Sequence, residues 1–167
     1  MKTHFKKMVN PDYLGSWDLM DAEGNFIKKT VTIKAVVVKK IHDGNGGETD
    51  CMVIELNECK PIIANSTNRK AIAKSVKSVF VEDWVGQKLV LYVEKVSAFG
   101  AVHDAIRVVK TPYKLPKLIA DSEDYNKCLK AILNGFTIEQ VKTKFTLDAN
   151  MEKILTDKIQ ENGTKEA

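Results

Sequence analysis

The sequence predicts a mainly β chain with some α structure: five strands, one helix between the third and fourth, and a helical module after them. Three observations carry this. Short runs rich in Val, Ile and Thr recur between residues 30 and 110, separated by turn formers. One stretch among them, Asn65–Phe80, has helical spacing instead. Beyond the proline-flanked segment Thr111–Leu118, the apolar spacing becomes helical.

Residues 1–29 mix turn formers with isolated aromatics, as in "NPDYLGSWDLMDAEGNF", and read as an N-terminal arm with room for one short strand. "TVTIKAVVVKK" (Thr30–Lys40) then alternates, with Val31, Ile33, Ala35 and Val37 on one face and Thr32, Lys34, Val36 and Val38 on the other. Its β-branched content makes it strand one. "HDGNGGE" (His42–Glu48) supplies the positive φ of a tight turn. Strand two is "TDCMVIEL" (Thr49–Leu56), and "KPIIAN" (Lys60–Asn65) is a short strand three.

The helix follows in "NSTNRKAIAKSVKSVF", with Ala71, Ile72, Val76 and Val79 near one face and Ser66 or Thr67 as its N-cap. "DWVGQKLVLYVEKVSAFGAVHDAIRVV" holds strands four (about Gln87–Glu94) and five (about Asp104–Lys110), joined by a loop with Phe99 and Gly100. Trp84, beside Gly86, is expected to plug one end of the core. Three helices close the sequence, roughly Ser122–Asn134, Ile138–Phe145 and Asp148–Glu161. The expected organisation is an arm (1–29), a barrel (30–112), a linker (113–120), a helical module (121–162) and a tail (163–167).

A β-β-β-α-β-β order is that of an OB-fold, a five-stranded, partly open Greek-key barrel that binds oligonucleotides or sugars on its strand 2–3 face and flanking loops. Sequence order alone also admits an SH3-like barrel or a small α+β sheet.

Composition narrows the function. The chain has 167 residues and a formal charge of +4, but residues 1–119 hold 19 Lys/Arg against 13 Asp/Glu, while the remainder holds 7 against 9. A polyanion partner therefore belongs with the first part. Three dispersed cysteines (Cys51, Cys59, Cys128) and no apolar leader or membrane-length run point to a cytoplasmic chain without a membrane partner. Motifs for nucleotide binding, nucleophilic catalysis or zinc are lacking, and "DGNGGETD" lacks the closing glutamate of a calcium loop. No enzyme activity, cofactor or metal is expected.

"NPDYLGSWDL", "KPIIANSTNRKAIAKSV", "EDWVGQKLVLYVEKV" and the FG-x₃-DAIRV run (Phe99–Val108) together resemble a group of small phage and prophage proteins found near replication and recombination genes. The resemblance covers about residues 10–112. It implies an OB-like domain that binds single-stranded DNA. Ala64-Asn65 departs from the group's pattern, which prefers a larger apolar residue before the asparagine.

Holding a flexible single strand takes cations that replace condensed counterions and flat side chains that stack on bases. The candidates are Lys34, Lys39, Lys40, Lys60, Asn68, Arg69, Tyr92, Lys95, Phe99 and Arg107. Trp17 and Tyr13 fit either a covering role over the barrel or contact with DNA. In the C-terminal helices, Asp148 and Glu152 favour a helix N-terminus but repel phosphates, which argues against a DNA-reading helix-turn-helix. Ile132, Leu133, Phe136, Ile138, Val141, Phe145, Ile154 and Leu155 instead suggest an apolar face for internal packing or for a replication or recombination protein. The leading expectation is sequence-independent single-stranded DNA binding. The alternative is a protein–protein adaptor that uses the barrel as scaffold.

Overall fold

The computed structural model describes residues 12–42, 46–98 and 100–163. Lys29–His42 (β1), Glu48–Leu56 (β2), Ile62–Ile63 (β3), Lys88–Ala98 (β4) and Ala101–Val108 (β5) form one antiparallel sheet in the order β3-β2-β1-β4-β5. The helices are Ser66–Val76 (α1), Glu123–Leu133 (α2), Ile138–Lys142 (α3) and Ala149–Gly163 (α4). Strand count and the place of α1 are as expected. The sheet is open, however: β3 and β5 are its two edges, and among the described residues no ladder joins them. The chain divides into two units, Met1–Tyr113 and Lys114–Ala167.

β1 is the strand both halves of the sheet share. Lys29–Thr32 pair with β4, whereas Ile33–His42 pair with β2. Register shifts between Ile33 and Ala35, which places a bulge at Lys34. A bulge inserts one residue and so reverses which side chains face inward beyond it. Val31 and Ile33 are buried, but past the shift it is Val36, opposite Ile54, that packs on the core. The uninterrupted alternation expected for Ala35 and Val37 is thus corrected. Glu58 sits at the crossover, accepting the Thr32 backbone N–H at 2.6 Å and its hydroxyl at 2.7 Å.

Leu19, Val31, Ile33, Ile54, Leu89 and Leu91 form the centre of the first core, with α1 adding Ala71 and Ile72. Fully burying aliphatic side chains of this size stabilises by about 1.5–3 kcal/mol each. Trp84 is buried as expected, and its indole N–H donates to the Ser78 carbonyl at 2.9 Å. Strand three shrinks to two residues because Pro61 has no N–H to donate and Asn65 is used as the cap of α1. Asn65, not Ser66 or Thr67, accepts from the Asn68 N–H at 2.9 Å. Lys77 turns left-handed (φ 63°) and ends the helix, so Val79 leaves the apolar face predicted for it and is exposed. In the arm, a 3-10 turn at Ser16–Leu19 and an isolated bridge between Met20 and Phe26 stand where a short strand had room. Leu19 makes that arm part of the core.

The second unit is stitched by side-chain caps. Ser122 caps α2, Thr137 and Gln140 cap α3 reciprocally, and Asp148 accepts from the Met151 N–H at 2.8 Å ahead of α4. Its core holds Leu118, Tyr125, Ile132, Val141, Met151 and Leu155. Leu133 and Phe136, expected on the apolar face, are 56% and 45% exposed, because α2 stops at Asn134 and Gly135 (φ 90°) redirects the chain. Phe136 borders a cavity of about 250 Å³ whose walls also include Cys128, Val141 and Phe145. No described helix is long and apolar enough to cross a membrane.

Candidate nucleic-acid interface

An open sheet leaves a flank, and the flank between β3 and β5 is where side chains of different origin meet. The arm reaches it first: the Leu14 N–H donates to the Pro61 carbonyl at 2.9 Å, alongside β3. The 3-10 turn then packs toward β4 and β5. Its Asp18 carboxylate accepts from the Gly15 N–H at 3.0 Å and lies 3.8 Å from Lys60 Nζ. From the opposite wall, Asn68 in the first turn of α1 donates its amide Nδ2 to the Ile106 carbonyl at 3.1 Å, tying the helix to β5. Between them lies a pocket of about 310 Å³, bounded by Tyr13–Trp17, Ile63, Asn65, Asn68 and Asp104–Ile106.

The structure brings only part of the predicted set to this pocket. Asn68 lines it directly, although it is buried and not an exposed contact. Lys60 stands behind the arm through Asp18, and Lys95 meets the wall through Asp104, opposite it in the β4–β5 ladder at 3.2 Å. Arg69, exposed, follows Asn68 on α1. Tyr92 and Arg107 are cross-strand partners on the other face of that hairpin, where Arg107 is 14% exposed and bound to Glu94. Lys34 is exposed at the bulge, and Lys39 and Lys40 lie along the β1–β2 hairpin. The two registers carry the β1–β2 and β4–β5 tips in opposite directions from the shared stretch Lys29–Thr32. Phe99 lies outside the described residues.

Five of the seven predicted cations hold acidic partners. Lys39 pairs with Glu55 (2.9 Å), Lys40 with Glu48 (3.6 Å), Lys60 with Asp18, Lys95 with Asp104, and Arg107 with Glu94 (3.2 Å). The hydrogen bond to Glu55 raises the Lys39 ammonium above its ordinary value, and the same bond holds the Glu55 carboxyl low. Pairs as exposed as Lys40–Glu48 contribute little to stability, so another anion can displace the carboxylate. Lys34 and Arg69 have no ion pair among the described residues.

Asp104 and Gly15 were missed as site residues. Asp104 was legible as the residue facing Lys95 once the hairpin register was known; nothing in the sequence marked Gly15 beyond its place in "NPDYLG". Among the described residues no three His, Cys, Asp or Glu side chains are grouped to hold a metal ion. No family model, curated protein or solved structure gives a match to this chain.

Proposed function

We propose that this chain is a non-enzymatic, single-stranded DNA-binding protein with an OB-like barrel, acting with little sequence preference in phage replication or recombination. The observation that carries the reading is the open β3–β5 flank, where aromatic and amide side chains from the arm and α1 meet β3 and β5 around one pocket, with Lys60 and Lys95 paired to carboxylates beside it. Strand order supports it as well, since a five-stranded barrel of this kind, opened between its third and fifth strands, would leave a sheet ordered β3-β2-β1-β4-β5. Lys60, Arg69 and Lys95 supply charge for phosphates near the flank, and Tyr13 and Trp17 supply rings on which bases stack at about 1–3 kcal/mol each. Lys34, Lys39 and Lys40 extend the charge along β1.

Titration of labelled oligo-dT and of duplex DNA at two salt concentrations tests it. Single-strand preference with affinity that falls as salt rises, by about 0.7 log units per log unit of salt for each neutralised phosphate, is the expected result. Absence of oligo-dT binding at low salt overturns it.

The adaptor is the second reading, and the exposed Leu133 and Phe136 of the helical unit favour it. In that case a replication or recombination protein docks on the C-terminal helices, and Leu133→Ser with Phe136→Ser removes its binding while leaving oligonucleotide affinity unchanged.

A further inference from the structure

We infer that the helical unit pairs with a second copy of itself, as a two-fold dimer, through the groove between α2 and the segment running from α3 to Phe145. The pairing does not rest on DNA binding, which is proposed for the first unit.

Helical spacing builds the groove. Asp124, Cys128 and Ala131 recur at three and four residues and so share one side of α2, while Val141, Lys144 and Phe145 line the other wall. Phe136, in the link between the two helices, also borders the groove and is 45% exposed. The cavity between the walls measures about 250 Å³. An apolar cavity of roughly 150 Å³ already accepts benzene, so this one has room for a phenyl ring.

Charge points to a second copy as the occupant. Asp124 and Lys144, one on each wall, have no ion pair among the described residues, whereas Lys127 beside them is held by Glu123 at 2.6 Å. Both lie near Cys128: burial pushes its thiol up, Asp124 adds to that push and Lys144 opposes it. A two-fold axis running along the groove sets each copy's α2 wall over the other copy's α3 wall. Asp124 of one copy then meets Lys144 of the other, twice over, and each Phe136 covers the other copy's cavity. An isologous contact needs this kind of self-complementarity. A partner of one charge would satisfy one rim residue and oppose the other. Size argues the same way. Residues 114–167 number fewer than the roughly 70–80 below which a single core supplies little stability, and such units rely on disulfides, metals or association. This stretch holds one cysteine and no histidine, so neither a disulfide of its own nor a Cys/His zinc site is open to it, which favours association.

Sedimentation equilibrium of the full chain, from micromolar to millimolar concentration, tests this. The expected mass rises from 18.7 kDa toward twice that value. Asp124→Lys and Lys144→Asp, both at exposed positions, should each weaken the dimer about tenfold, because each sets like charges together at two symmetric contacts. Combining the two reversals should restore association, a recovery that damage to the fold cannot mimic. A chain that stays monomeric throughout overturns the inference and leaves the groove to a different protein. A dimer indifferent to both single variants, or one that the double variant fails to restore, overturns it as well by placing the contact elsewhere.

Discussion

The indole of Trp17 lies so close over Gly15 that a β-carbon at position 15 would overlap ring atoms Cε2 and Cζ2. Gly15 has φ −103°, a conformation open to any residue, so the requirement is one of space. Gly15→Ala must push the indole away from the pocket wall. Overpacking of this kind costs about 1–3 kcal/mol. The expected result is a lower Tm together with a shifted tryptophan emission; a variant matching the parent in both measurements would refute the packing.

Glu58 predicts an acid-sensitive joint. Burial by itself would raise the Glu58 carboxyl, but the Thr32 backbone N–H and hydroxyl outweigh it and hold the group below its ordinary 4.5. A carboxyl depressed on folding contributes stability above its unfolded pKa and loses it as pH falls through the lower folded value. Glu58→Gln should therefore cost about 1 kcal/mol at pH 7, kept small by solvent exposure, and less at pH 3. Urea denaturation at both pH values checks this. An equal deficit at pH 3 would show that the charge on Glu58 is irrelevant.

Trp84 is buried in the first core while its polar edge stays satisfied. Trp84→Phe preserves much of the apolar packing but leaves the Ser78 carbonyl without its donor and a gap where the second ring was. The expected loss is about 1–3 kcal/mol, from the orphaned carbonyl and the lost volume together. Thermal denaturation measures it, and an unchanged Tm would place Trp84 outside the energetic core.

Much of the sheet was legible because β-branched runs and glycine-rich turns mark strands whatever their partners are. The bulge at Lys34 was not. Val36, Val37 and Val38 are all apolar, so the pattern reads equally well with either set facing inward, and only the change of partner from β4 to β2 decides. Strand ends were misjudged where polar residues continue a ladder: β4 runs on through Lys95 and Ser97, and β5 begins at Ala101. That error hid the Lys95–Asp104 pair, because a strand beginning at Asp104 gives Lys95 no definite opposite. The basic residues were visible as residues but not as ion pairs, since pairing depends on register and side-chain reach. Asn68 was named for its place beside Asn65 and Arg69, where strand three meets the helix. Its burial comes from the docking of α1 on β5, a contact between residues 38 apart in sequence that no local pattern encodes.

The ion pairs predict a gain of function. If Lys39 must leave Glu55 to meet a phosphate, part of the binding free energy goes into breaking that pair. Glu55→Gln removes the competing charge, since the neutral amide still accepts a hydrogen bond but no longer attracts the ammonium. Single-strand affinity at low salt should rise, and Lys39→Ala should lower it. The salt dependence separates electrostatics from packing. Freeing one lysine for phosphate contact steepens the slope of log affinity against log salt by about 0.7, whereas a rearranged surface would shift the affinity at all salt concentrations alike. An unaltered slope in Glu55→Gln would remove Lys39 and its hairpin from the proposed DNA interface and leave only the β3–β5 flank as a candidate.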